Sequence, residues 1–267
     1  MAYQLPCYIL SADINNPIID YYWDDQNVDK ILADDGYADK IIEKLELVSL
    51  RGKIALSIGV YEWILGRFHH LISDPIPYQI AEVAWCANIN KYYATYIEYD
   101  RGEYLGPING VLWCGFSFLT PVLYVSENVS NPTSPDEYRD IYPYDENQWK
   151  ISLVYLISIV IHILPDSNLF KSWLEGCVER LIKYYTIHEE GPFDNLFGHK
   201  DKQNWLGHYI AREVLNLNCN YDPKDAVFLL NKFLSQVEYK ENPLLTPIDD
   251  LEKLSKGEIK KPFYIEI

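Results

Sequence analysis

The chain has 267 residues, enough to bury a sizeable core, and its 48% apolar and 15% aromatic content excludes a disordered polymer. A formal net charge of −16, with a pI near 4.7, repels nucleic acid and anionic membranes and steers a basic protein inward. The 23 tyrosines add side chains with an apolar body and a polar tip, suited to helix packing and to partner-facing surfaces.

The N-terminus, MAYQLPCYILSADINN, lacks the basic region of a secretory signal, so a cytoplasmic protein is expected. An irregular acidic segment follows. Asp13, Asp20, Asp24, Asp25, Asp29, Asp34, Asp35 and Asp39 face the single cation Lys30. Solvated surface is the plain reading of such a run, and a landing zone for a basic partner is the functional one.

Apolar residues at 41, 42, 45 and 48 predict a helix over Tyr37–Val48, and Ile54, Ile58, Tyr61, Leu65 and Phe68 predict another over Lys53–Leu71. The prolines of SDPIP (73–77) end it. A tyrosine-rich helix is expected from Tyr78 to Tyr99, then a turn at 100–107. Tyr104–Ser126 carries no charge over 23 residues, a length that would permit a membrane span. Its internal Pro107, Asn109 and Pro121, with no basic flank, favour a buried helix of a soluble protein.

Residues 128–147 are rich in Pro, Ser and Asn and read as linker-like. They belong to a second acidic run of Glu127, Asp136, Glu137, Asp140, Asp145 and Glu146 against Arg139. Gln148–Leu164 is apolar nearly all round and predicts a buried helix, followed by another over Asn168–Tyr185. The loop from His188 leads to an expected helix from Asn204, on which His208 and Arg212 would share a face. Phe193 and Phe197 would anchor that loop. Asp222-Pro223 is a cap followed by a first-turn proline before AVFLLNKFLSQV, and the tail from Asn242 is expected to wrap the surface. The whole predicts an all-α, multi-helix bundle of about eight to ten helices. It divides into an N-terminal helical region (1–127), the linker-like segment (128–147) and a C-terminal helical region (148–267), packed as one unit.

Chemistry-bearing motifs are sparse. His188, His199 and His208 lack the H-E-x-x-H spacing that places two imidazoles one turn apart, so no metal is expected. Neither G-x-S-x-G nor a phosphate-cradling G-x-x-x-x-G-K-[ST] occurs, and neither a cofactor nor a catalytic residue is assigned. Cys7, Cys86, Cys114, Cys177 and Cys219 form no C-x-x-C pair and read as free thiols in a reducing compartment. A carboxylate pair acting on a glycan is the alternative, with Glu62 beside Trp63, Trp205 and the Glu98, Asp100 and Glu103 group as candidate cleft residues.

Over Trp149–Leu234, about a third of the chain, three features carry a resemblance. They are the ISLVYLISIVIHIL helix followed by PDSNLFKSWLE, the acidic loop GPFDNLFGHK, and NWLGHYIAREVLNLNCNYDPKDAVFLLNKFL. Together they resemble the C-terminal part of helical immunity proteins that neutralise secreted bacterial toxins, the polymorphic and type VI toxins, nucleases among them. The resemblance implies a non-enzymatic inhibitor that occludes or distorts a cognate toxin; a basic toxin is the expected partner, with a homodimer as a further assembly to test. Joined to the charge pattern, it nominates Asp24, Asp25, Asp34, Asp35, Asp136, Glu137, Asp145 and Glu146 as the docking charges. Tyr138, Tyr142 and Tyr144 are the candidate anchors.

Overall fold

The computed structural model describes residues 3–32, 36–95, 99–130, 148–187 and 206–266, with the backbone alone over 124–130. Ten α-helices run through them: α1 (Cys7–Leu10), α2 (Val28–Ile31), α3 (Tyr37–Leu45), α4 (Leu50–Arg67), α5 (Ile76–Ile89), α6 (Gly106–Ser130), α7 (Gln148–Ile163), α8 (Asn168–Tyr185), α9 (Ala226–Leu234) and α10 (Ile248–Leu254). Among the described residues the β pairing is confined to two isolated antiparallel bridges, Val48 with Thr186 and Ala94 with Leu245. The fold is an all-α multi-helix bundle.

The bundle is built around α4. Ser49 starts it, its Oγ accepting from the Gly52 N–H at 3.3 Å. Every residue of α4 except Arg51 is then buried, because α5, α6, α7 and α8 all pack against it. The strongly apolar α6 and α7 lie against one another as well, burying Leu112, Phe116 and Leu119 of one and Leu153, Ile157 and Val160 of the other. The segment Gly106–Leu123 is long and apolar enough to cross a membrane by length and composition, and half of it is buried inside the bundle. Helix α8 is amphipathic in the ordinary way. Phe170, Trp173, Leu174, Cys177, Val178, Leu181 and Tyr185 recur at three- and four-residue steps and form its buried face. Each large apolar side chain so buried stabilises the fold by about 1.5–3 kcal/mol.

Close approach to α4 depends on glycines seven residues apart, two helical turns. A Cβ on Gly52 would meet Val48 Cγ1 at 2.5 Å, one on Gly59 would meet Leu215 Cδ1 at 2.5 Å and Trp173 Cη2 at 3.2 Å, and one on Gly66 would strike Ile9. This stripe is where the two ends of the chain lie down on the central helix. Trp63, Phe170 and Trp173 cluster beside it, with ring centroids 5.3–6.0 Å apart.

The helices expected at Tyr37, Lys53, Gln148 and Asn168 all form. Several boundaries move, for physical reasons. The helix expected to reach Val48 stops at Leu45, since Val48 turns out to bridge with Thr186. The helix expected over Tyr78–Tyr99 ends at Ile89, where the Asn90 side chain accepts from the Tyr92 N–H and starts a separate 3₁₀ turn. Helix α6 runs through Ser130, so the first residues of the linker-like segment are helical, and 131–147 lie outside the described residues.

The helix expected from Asn204 does not continue past Leu206 among the described residues. Gly207 adopts a φ of +79°, Ala211 is extended, and only Arg212–Leu215 makes a 3₁₀ turn. His208 and Arg212 therefore share no helical face. The tail does more than wrap the surface: Leu244, Leu245, Leu251, Ile259 and Ile265 join the core.

Arginines satisfy the carbonyls that this irregular backbone leaves without helical partners. Arg180 donates to the carbonyls of Val214, Asn216, Leu217 and Cys219 at 2.8–3.4 Å. Arg51 donates to those of Asn88, Ile89 and Gly207 at 2.6–3.1 Å. Burying peptide groups without partners would cost about 1–3 kcal/mol each, so these contacts decide the path of the chain.

Candidate functional site

Two charged residues on α4 capture the N-terminal segment. Glu62 is fully buried, accepts from the hydroxyls of Tyr3 and Tyr8 and from Trp85 Nε1 (2.9 Å), and pairs with Arg212 Nη2 at 2.9 Å. Arg212 also donates to the Gln4 carbonyl at 2.9 Å and lies 4.8 Å from the Tyr3 ring centre. Burial, reinforced by the neighbouring Glu62 charge, pushes the Tyr3 and Tyr8 hydroxyls far above the usual phenol range. Burial alone would weaken the Arg212 cation, but Glu62 together with Tyr3 and Tyr8 outweighs it and holds the guanidinium charged. This carboxylate is sealed under aromatic rings. The expectation that Glu62 lines an open cleft beside Trp63 is corrected accordingly.

Five residues further along α4, Arg67 is equally buried. Its Nε donates to the Ile163 carbonyl at 3.1 Å, its two Nη atoms to the carbonyls of Asn16 and Ile18, and it lies 3.5 Å from Asp20. Arg67 thereby sets the position of the acidic segment that continues from Asp20.

That segment, Tyr21–Asn27, is a tightly bonded, partly exposed loop. Tyr21 donates its hydroxyl to the Pro107 carbonyl, and its ring meets His162 edge-on at 5.6 Å. His162 Nε2 lies 2.6 Å from the Tyr22 carbonyl and must be its donor. Asp25 reaches across to α6: Oδ2 accepts from the Gly106 N–H at 2.8 Å, while Oδ1 accepts from Trp23 Nε1 at 2.9 Å. A Cβ on Gly110 would collide with that carboxylate, so glycine is what lets the loop sit on the helix. Asp24 accepts from Asn27 Nδ2 at 2.8 Å and from the Gln26 N–H at 2.9 Å; these two bonds, the first foremost, lower its pKa.

The outcome is an open groove of about 480 Å³ between Tyr22–Gln26 on one side and Arg101 and Leu105 on the other. Tyr22 is 71% exposed and Leu105 57%, leaving apolar surface beside charged oxygens that are already held in place. Of the nominated acids, Asp24 and Asp25 line this groove, and Asp25 spends both oxygens on holding the loop. Asp34, Asp35, Asp136, Glu137, Tyr138, Tyr142, Tyr144, Asp145 and Glu146 lie outside the described residues. So do His188, Phe193, Phe197, His199 and Trp205.

Sequence reasoning missed Tyr22, Leu105 and His162. The run Tyr21-Tyr22-Trp23 inside an acidic stretch was the available signal for the first. Nothing in local sequence brings His162 or Leu105 to that loop.

A second pocket, of about 270 Å³, is lined by Asp74 and Glu103 along with Tyr104 and Asn109. Asp74 Oδ1 accepts from the Ile76 N–H at 3.0 Å and Oδ2 from the Tyr104 hydroxyl at 3.1 Å. Among the described residues no group of three or more His, Cys, Asp or Glu side chains is placed to hold a metal ion. No family model matches the chain, and neither the curated proteins nor the solved structures contain a significant match to it.

Proposed function

We propose that this protein binds and inhibits a basic protein toxin, as an immunity protein acting in the cytoplasm, and that the Tyr22–Gln26 loop forms part of its docking surface. The observation that carries the reading is this loop itself. Its carboxylates are held by Gly106, Trp23, Asn27 and the loop backbone, beside the exposed Tyr22 and Leu105. A partner cation meeting them finds acceptors already ordered, so little conformational entropy is lost on docking. The net charge of −16 supplies long-range attraction, which raises encounter rates and weakens with salt. The role is occlusion and involves neither a cofactor nor turnover.

The test is association with a basic toxin, one encoded beside this chain or captured with it. Charge reversal at Asp24 is expected to slow association more at low salt than at high salt. Tyr22→Ala is expected to speed dissociation with little effect on the association rate. Parent-like kinetics in both variants at both salts would remove the loop from the interface.

A second reading, glycan hydrolysis by a carboxylate pair, has Asp74 and Glu103 sharing one pocket in its favour. Against it, Asp74 has both oxygens engaged in capping α5 and accepting from Tyr104. Turnover of a soluble oligosaccharide that is lost in both Asp74→Asn and Glu103→Gln would establish this reading instead.

A further inference from the structure

The chain's two accessible thiols meet at one residue. Cys7, on the single-turn α1, is exposed, and its Sγ accepts from Asn216 Nδ2 at 2.9 Å. Cys219 is partly exposed, and its Sγ lies 3.1 Å from the backbone carbonyl of the same Asn216. Both sit on short, irregular stretches. Cys7 belongs to the segment whose Gln4 carbonyl is held by Arg212, and Cys219 closes a turn in which its own N–H donates to Asn216. Cys86, Cys114 and Cys177, in contrast, are buried within helices, and burial raises all three thiols, Cys114 to about 12. Of the five cysteines, only Cys7 and Cys219 combine access with a shared contact at Asn216.

We propose that Cys7 and Cys219 form a reversible intramolecular disulfide under peroxide stress, stapling the N-terminal segment to the turn at Asn216–Cys219. The exposed Cys7 thiolate attacks the peroxide, taking one oxygen to become a sulfenic acid and releasing hydroxide. The Cys219 thiol then displaces that oxygen: the S–S bond forms, the S–O bond breaks, and the thiol proton leaves with the oxygen as water. Two thiols and one hydrogen peroxide thus give one disulfide and two waters. Cys219 suits the resolving role. Burial raises its pKa, while the nearby Arg180 charge opposes that rise and favours the thiolate that attacks the sulfenic sulfur. The staple replaces the Asn216 contacts with a covalent link and pins Tyr3 and Tyr8 over Glu62. Thiol reductants reverse it.

The experiment treats the full chain with hydrogen peroxide, alkylates the remaining thiols, and maps peptides by mass spectrometry without reduction. The expected result is a linked peptide pair containing Cys7 and Cys219, with Cys86, Cys114 and Cys177 still reduced. The melting temperature should rise by several degrees and return on adding dithiothreitol. In Cys219→Ser the Cys7 sulfenic acid should persist and react with dimedone, whereas Cys7→Ser should leave Cys219 as a thiol. Full alkylation of both cysteines after peroxide, a link joining two chains, or pairing with any buried cysteine would overturn the proposal.

Discussion

Arg212 Nη2 stands 2.9 Å from Glu62 Oε1, joining an irregular C-terminal segment to the middle of the central helix. The same carboxylate is held by Tyr3 and Tyr8, so one buried acid ties both ends of the chain to α4. Replacing Glu62 by Gln keeps the volume and leaves the Arg212 charge without its counter-ion. The expected loss of unfolding free energy is about 3–5 kcal/mol, measured by urea denaturation. Glu62→Gln combined with Arg212→Met should lose clearly less than the sum of the two single changes, because the uncompensated charge is gone. Strict additivity would show that the pair is not coupled.

Arg67 is the corresponding anchor for residues 16–20. Arg67→Met strands the Asn16, Ile18 and Ile163 carbonyls and leaves Asp20 without its cation. A loss of about 2–4 kcal/mol is expected, together with faster native-state proteolysis around 12–20. Unchanged cleavage kinetics there would mean that the segment is held by its apolar contacts alone.

Gly59 tests the stripe on α4. Alanine is the better helix former by about 1 kcal/mol, yet its Cβ would lie 2.5 Å from Leu215 Cδ1. Overpacking of about 1–3 kcal/mol should prevail, and Gly59→Ala should lower the melting temperature. Adding Leu215→Val, which shortens the colliding side chain, should restore part of the loss. A gain in stability from Gly59→Ala alone would show that Leu215 yields freely.

Glu82 makes stability depend on pH. Burial raises its carboxyl pKa, against the opposing hydrogen bond from Asn242 Nδ2 at 2.9 Å. An acid whose folded pKa exceeds its unfolded one favours the fold while protonated. That contribution is complete below the unfolded value, roughly pH 4.3, and is lost as pH rises through the folded value. Glu82→Gln should therefore stabilise the protein at pH 7, with the difference from the parent shrinking toward zero near pH 4. A pH-independent difference would assign the effect to packing.

The candidate site was legible only in part. The acid run marked Asp24 and Asp25, but not that Asp25 caps the distant α6 at Gly106. Nor did it show that the loop is held by His162 of α7 and located through Arg67 of α4. Those relationships join residues 81 to 140 positions apart, or 49 for Arg67 with Ile18, and such pairings leave no trace in local periodicity. Glu62 misled for a related reason: beside Trp63 it reads as a cleft residue, and only its four partners from other segments show it to be a buried anchor.

By itself the sequence determined the helical class, the positions of α4, α7 and α8, and the net negative field. Apolar spacing, proline punctuation and charge are local properties that act before any long-range contact exists. Tertiary structure decided where the two chain ends lie, which acids are buried and which are presented, and that 207–211 are non-helical where helix was expected. In those segments helical propensity is weak, and the carbonyls go to whichever arginine the packing brings within reach.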